Sequence, residues 1–305
     1  MSFSFESIPN LSGYTTLVTG ANGGLGLATA KVFAAKGARV IMAARDLDKA
    51  QTAQEVILAA TPNAELEIVS LDLGSLNSIA KAATQVLSQH DQIDILVNNA
   101  GLMAMPEQST SDGFEMQFGV NHLGHWALTA QLMPALLAAP KARVVTVTST
   151  AHHMGKAVDP KNVHLRGNYS PWKAYGQSKL DNYHFALMLE KQFRAAGVGA
   201  MSLLAHPGLS QTDLQSRTLR EGASNTLGGL SHKAASSIGM SADVSAMTQL
   251  RAATDPKAHG GEFHAPRFMN SGAAVRRPLL RPGSGKAIAT LWDVSERETG
   301  LAMVV

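Results

Sequence analysis

Short runs of nearly all-apolar, β-branched residues alternate along the chain with longer Ala- and Leu-rich stretches of helical period. The runs fall at Thr15 to Thr19, Arg39 to Ala43, Leu66 to Leu71, Ile93 to Val97, Arg143 to Thr148 and Ala200 to Ala205. Between them, Leu25 to Lys36, Leu47 to Ala60 and Ser75 to His90 read as helices. Strands that are apolar on both faces and separated by one helix each predict a parallel sheet covered on both sides. Right-handed crossovers make this a doubly wound α/β fold of about seven strands, and no repeat or linker divides 1–305 into more than one domain.

Three stretches depart from the alternation. Residues 151–173 read as a polar, irregular insertion, and residues 213–241 are rich in Gly, Ser and Thr. Loops of that length are covers or mobile segments more often than plain connections. Leu214, Leu219, Leu227, Leu230 and Met240 give the second one the character of an apolar lid. Residues 267–305 form a tail that ends in a helical stretch. The helix predicted from Tyr175 to Ala196 carries Leu180, Tyr183, Leu187 and other apolar residues beyond one core face. Either a second copy of the chain or the tail covers the excess, and the pattern leaves both open.

Composition narrows the function classes. Of 305 residues, 45% are hydrophobic and 16% charged, and the formal net charge of +3 is too small to argue for a polyanionic partner. The cluster Arg276, Arg277 and Arg281 lies among Pro and Gly and predicts a solvated loop rather than a nucleic-acid surface. With no cysteine, disulfides, thiolate metal sites and cysteine nucleophiles are excluded. His122 and His125, and the adjacent His152 and His153, lack a carboxylate or cysteine at ligand spacing, so packing rather than metal binding is expected of them. The start lacks the regions of a signal peptide and no apolar run reaches about eighteen residues, which predicts a soluble, cytoplasmic protein without a membrane span.

Two patterns carry chemistry. After the first strand comes Thr19-Gly-Ala-Asn-Gly-Gly-Leu-Gly26, placing Gly20, Asn22, Gly24, Leu25 and Gly26 at the entrance to a helix. Glycines there permit a tight turn and close approach of backbone amides to a pyrophosphate, as in Rossmann-type dinucleotide sites. A NAD site generally has an acidic residue at the end of the second strand. Here the strand ends in Ala43-Ala44 and Arg45 follows, with Lys49 one turn later, a pattern suited to the extra phosphate of NADP(H). The second pattern is Tyr175-Gly-Gln-Ser-Lys179, where about one helical turn puts a phenol and an ammonium on one face. A cation beside a phenol favours the phenolate and readies it for proton exchange.

Together with Asn98-Asn-Ala-Gly101, Ser149, and Pro207-Gly208 with Thr212, these motifs stand in the order of the short-chain dehydrogenases/reductases, which the chain resembles from about Leu11 onward. Ala44-Arg45-Asp46, Ala151-His-His-Met-Gly155 and the tail Leu291 to Leu301 resemble the retinol dehydrogenase-like branch. The resemblance implies that Asp72 and Leu73 border the adenine, and that Asn99, Ala100 and Gly101 border the cofactor ribose. It implies that Pro207, Gly208 and Thr212 meet the nicotinamide end. It also implies that Asn121 supports a helix bend and a water relay behind Lys179. Read without it, Asp72 is equally a turn residue and Asn121 equally a satisfied helix polar group.

The expected activity is reversible hydride transfer between NADP(H) and a hydrophobic carbonyl or alcohol. Ser149 would bond the substrate oxygen, Tyr175 exchange the proton, and Lys179 depress the tyrosine pKa. The insertion brings His152, His153, Tyr169, Pro171 and Trp172 toward this trio, either to shape the pocket or to pass clear of it. Two other functions share the motifs: a silent NADP(H)-binding regulator, and a lyase or epimerase using bound nucleotide. The family's paired-helix homodimer is a possible assembly.

Overall fold

The computed structural model describes residues 3–210, 239–280 and 285–305. Strands β1 (Thr15–Thr19), β2 (Arg39–Ala44), β3 (Leu66–Ser70), β4 (Ile95–Asn98), β5 (Arg143–Val147), β6 (Met201–Ala205), β7 (Phe263–Pro266) and β8 (Ala274–Arg277) form one sheet in the order β3-β2-β1-β4-β5-β6-β7-β8. All neighbours pair in parallel except β7 with β8. The order reverses between β1 and β4, and in such sheets the crevice at that reversal, beyond the strand ends, is where ligands bind.

Helices α1 (Gly24–Ala35), α2 (Leu47–Ala60), α3 (Leu76–Gln89), the single turn α4 (Met116–Phe118), α5 (Gly124–Ala138), α6 (Pro171–Ala196), α7 (Ala242–Thr254) and α8 (Gly285–Thr299) cover the sheet. Their ends follow local chemistry. Asp46 caps α2 by accepting from Lys49 N at 3.1 Å, and Pro171 opens α6, where its missing N–H costs nothing. Gly197, at φ 68°, closes α6 in the left-handed conformation. Successive strand residues serve opposite faces: Leu17 packs with Ile41, Leu96, Trp126 and Phe185, while Val18 packs with Phe33, Met42, Val145 and Leu250.

The structure departs from the sequence expectation in three places. First, the sheet has eight strands, because Arg276 and Arg277 lie in β8 opposite His264 and Phe263 rather than in a loop. A four-residue charged edge strand has no apolar run to betray it. Arg276 reaches Glu262 at 3.1 Å, and Arg281 lies outside the described residues. Second, α6 begins at Pro171, so Tyr175 stands in its second turn instead of at its head. Third, residues 151–173 are only partly irregular: Thr150–His153 form a 3-10 turn, and Val158 and Val163 pack on Phe114, Phe118 and Leu291.

The tail, rather than open surface, meets the apolar side of α5 and α6. The Trp292 ring lies 4.5 Å from Trp126 edge to face, His122 Nε2 is 2.8 Å from Ser295 Oγ, and Trp126 Nε1 donates to Leu301 O at 3.0 Å. Tyr183 instead faces Phe263 beside β6 and β7. Among the described residues, no helix is long and apolar enough to cross a membrane.

Candidate active site

A cleft of about 1130 Å³ lies across the C-terminal ends of the strands. Gly20, Asn22, Gly24, Leu25 and Gly26 line it at the start of α1, a helix whose first turn has no side-chain cap, which leaves amides to meet an anion. A Cβ on Gly26 would lie 2.2 Å from Gly20 O, so only glycine fits this crossing. Asn99 closes the loop from behind, its Nδ2 donating to Thr19 O at 2.8 Å. Thr19 Oγ1 accepts from both Asn99 N and Ala100 N at 3.0 Å.

Around this loop the wall changes character. Ala43 and Ala44 end β2 with no acidic side chain, and Arg45, Asp46 and Lys49 line the cleft just beyond, with Lys49 Nζ 3.3 Å from Asp46. Asp72 and Leu73 lie beside them, Asp72 Oδ1 accepting from Gly74 N at 2.9 Å in a local turn. Asp72 is therefore both turn residue and cleft wall. Ala100, Gly101, Pro207 and Gly208 line the other end, where Gly208, at φ +80°, is wedged against Met240 and Asn270. Thr212 and most of 213–241 lie outside the described residues. These walls fit a dinucleotide, and the volume leaves room beyond the roughly 300–1,000 Å³ of a typical small-molecule site.

Ser149, Tyr175 and Lys179 meet inside the cleft. Ser149 leaves β5 and caps the 3-10 turn, its hydroxyl accepting from Ala151 N at 3.2 Å. Lys179 Nζ donates to Val147 O at 3.3 Å, Thr148 Oγ1 donates to Lys179 O at 2.7 Å, and Asn182 Nδ2 donates to Val147 O at 3.1 Å. The exit of β5 is thus fastened to α6. Tyr175 and Lys179 are 6% and 5% exposed, and burial moves them oppositely. The phenol is pushed up to about 12, against a lowering hydrogen bond from Ser149, and the ammonium down to about 8. The expectation that Lys179 depresses the tyrosine is not met here: removal from water dominates for Tyr175, and the same loss of water lowers Lys179 itself.

Asn121 lies beneath the cleft, in a π-turn formed by Gly119–Leu123 that bends the chain into α5. Its Oδ1 accepts from Leu102 N at 2.7 Å, and its Nδ2 donates to Leu102 O and Ser178 Oγ, both at 2.9 Å. It joins the Gly101 loop to α6. His125 Nδ1 donates to Asn121 O at 3.0 Å, leaving Nε2 to accept from Thr19 Oγ1 at 2.9 Å. Burial keeps His125 neutral, down to about 4, and His122 down to about 3. Both histidines are packing groups.

A family model described as short chain dehydrogenase matches residues 14–223. The chain belongs to the short-chain dehydrogenase family. Retinol dehydrogenase 13 of Homo sapiens is 40% identical over 222 residues, 72% of this chain and 66% of that protein. The short-chain dehydrogenase/reductase prx1 of Penicillium roqueforti is 39% identical over 214 residues, 69% of this chain and 61% of the relative. The match thus spans a little under two thirds of the length of these curated relatives. A crystal structure of an uncharacterised protein from Mycobacterium paratuberculosis superposes with a TM-score of 0.81 at 36% identity, covering 100% of both chains. The retinol dehydrogenase-like resemblance in the sequence agrees with these relatives.

In this short-chain dehydrogenase the insertion takes part in the cleft, and two further residues line it that the motifs did not name. Ala151, Met154 and Trp172 bring both ends of the insertion to the cleft, with Trp172 edge-on to Tyr175 at 6.0 Å. Tyr169 turns away to donate to Met105 O at 2.7 Å. His206 and Asn270 also line the cleft, and the adjacency of His206 to Pro207-Gly208 was the available clue to the first. Nothing in the sequence places Asn270, which arrives on the β7–β8 turn.

Proposed function

We propose that the protein is an NADP(H)-dependent oxidoreductase that interconverts a carbonyl and an alcohol on a bulky hydrophobic substrate. The observation that carries this reading is the meeting of Ser149, Tyr175 and Lys179 in one cleft whose opposite end presents Arg45 with no acidic residue at the end of β2. Bound cofactor supplies the hydride in reduction and takes it back in oxidation. Everything else falls to the chain. Ser149 bonds the substrate oxygen and holds it against Tyr175. Tyr175, protonated at neutral pH, gives its proton to that oxygen as negative charge develops there, and takes a proton in the reverse direction. Lys179 keeps a positive charge beside this exchange below about pH 8. Asn121 ties the loop of Leu102 to α6 and so fixes the spacing between cofactor wall and proton donor. Arg45 would hold the ribose phosphate of NADP(H).

The hydrophobic substrate follows from the apolar side chains of the cleft: Met103, Met154, Trp172 and Leu209 line it, with Trp172 edge-on to Tyr175. The test is the loss of nicotinamide absorbance with a panel of aromatic, terpenoid and small polar carbonyls, using NADPH and NADH in parallel. NADPH oxidation fastest with large apolar carbonyls is expected. Turnover of small polar carbonyls at far higher kcat/KM would sink the substrate assignment, and equal use of NADH would sink the cofactor assignment.

A further inference from the structure

Val147 and Thr148 are fastened directly to α6 by Asn182, Lys179 Nζ and the backbone of Lys179. Ser149, the next residue, is held by another route. Its carbonyl accepts two hydrogen bonds from a single residue, His152: one from the backbone N at 3.0 Å and one from the ring Nδ1 at 2.5 Å. Since a carbonyl can only accept, Nδ1 carries the proton.

The ring that makes this bond is itself fixed. It is 1% exposed, stacked on Tyr183 at 4.7 Å and 15°, edge-on to Phe263 at 6.2 Å, and 4.0 Å from the ring of His153. Tyr183 lies one helical turn beyond Lys179 and two beyond Tyr175, so the three share a ridge of α6. The path from the proton donor to its neighbour is therefore closed through a rigid element. It runs from Tyr175 along α6 to Tyr183, across the stack to His152, and through Nδ1 to the backbone of Ser149. On the other side, His206 is also buried, near His152 and with its ring facing the backbone of Thr148 and Met269. Two imidazoles thus bracket the end of β5.

We propose that His152 is a positioning residue for Ser149: its ring, clamped on Tyr183, pins the Ser149 carbonyl and thereby aims the Ser149 hydroxyl at Tyr175. This rests on the oxidoreductase reading for its kinetic readout, but not for its structural one. His152 touches neither substrate nor cofactor in this role. Its effect passes through Ser149, and catalysis is steeply sensitive to such aim, with misplacement by about 1 Å costing on the order of a hundredfold.

The experiment compares His152→Phe, which keeps an aromatic on Tyr183 without the donor, with His152→Asn, which restores an amide donor near Nδ1. Each is made in the wild-type and Ser149→Ala backgrounds. With NADPH and the best carbonyl of the panel, His152→Phe should lower kcat by roughly 10- to 100-fold with KM for NADPH changed less than about twofold. His152→Asn should recover much of that loss. In the Ser149→Ala background, His152→Phe should cost almost nothing more, because the hydroxyl it aims is gone. A crystal structure of His152→Phe should show Ser149 Oγ displaced from the Tyr175 oxygen. If the variant folds poorly, Tyr183→Leu, which removes the stack and leaves the ring, should show the same displacement.

Two results would overturn the assignment: an unmoved Ser149 hydroxyl, or an equal loss of kcat in both backgrounds. A wild-type protein that turns over no carbonyl would refute the oxidoreductase reading. The crystallographic displacement would then decide on His152 by itself.

Discussion

Lys179 Nζ stands 5.8 Å from the centre of the Tyr175 ring, with burial raising the phenol to about 12 and lowering the ammonium to about 8. Carbonyl reduction needs a protonated Tyr175 beside a charged Lys179, so the lysine sets the first limit as pH rises. The kcat/KM for reduction should be level between about pH 6 and 7 and fall about tenfold per unit well above pH 8. Lys179→Arg keeps its charge at high pH and should move the fall upward, at a cost in rate. A profile flat to about pH 10 for the wild type would refute the assignment.

Arg45 lines the cleft directly after a β2 end that lacks an acid, and under the proposed NADP(H) dependence it would meet the ribose phosphate. Arg45→Asp should weaken NADPH binding by about 10- to 100-fold, equivalent to the roughly 1.5–3 kcal/mol of a charge-assisted hydrogen bond, and strengthen NADH binding. Fluorescence titration with both nucleotides reads the change. Unaltered preference would remove Arg45 from the cofactor site.

Asp181 is fully buried on α6, with Gln177 as its hydrogen-bond partner at 3.4 Å and the acidic Glu115 in its vicinity. Burial raises its pKa well above the ordinary aspartate value, with the Gln177 hydrogen bond acting the other way and Glu115 adding to the rise. The folded state therefore prefers the protonated acid. Stability from this preference is complete below about pH 4, where the unfolded chain is also protonated, and is lost as pH rises toward the folded pKa. Asp181→Asn removes that loss and should stabilise the protein by about 1–3 kcal/mol at pH 8 and by less at pH 5. Urea denaturation at the two pH values checks it. Destabilisation at pH 8 would mean that the carboxyl makes interactions the amide cannot replace.

Trp292 joins α8 to the rest of the fold through Trp126 and Phe185, its ring 4.5 Å and 6.5 Å from theirs. Trp292→Ala should cost about 3–5 kcal/mol and bare the outer side of α5 and α6. Light scattering should then report more self-association than the wild type shows at the same concentration. A variant as stable as the parent would show that the tail merely rests on this face.

The parts legible in the sequence are those whose signal is local. Six strands, the glycine loop and the Tyr175 to Lys179 turn each declare themselves within a few residues, and their order led to the family. The groups that escaped depend on segments distant in sequence. Thr19 Oγ1 acquires its role from the backbone of Asn99 and Ala100, and Asn270 from a turn after β7. Spacing also misjudged the Tyr175 pKa, because it reveals a neighbouring charge but not the loss of water around both groups. β8 escaped for a related reason: its pairing with β7 supplies what its own residues lack.

That last strand has an effect on how the molecule behaves among others. It ends the sheet as a four-residue antiparallel border carrying Arg276 and Arg277, where the buried β7 would otherwise present open backbone at the edge. Short, charged borders resist the addition of strands from neighbouring chains. Arg276 and Arg277, expected in a solvated loop, stand in the folded protein as charges on a border that discourages such pairing.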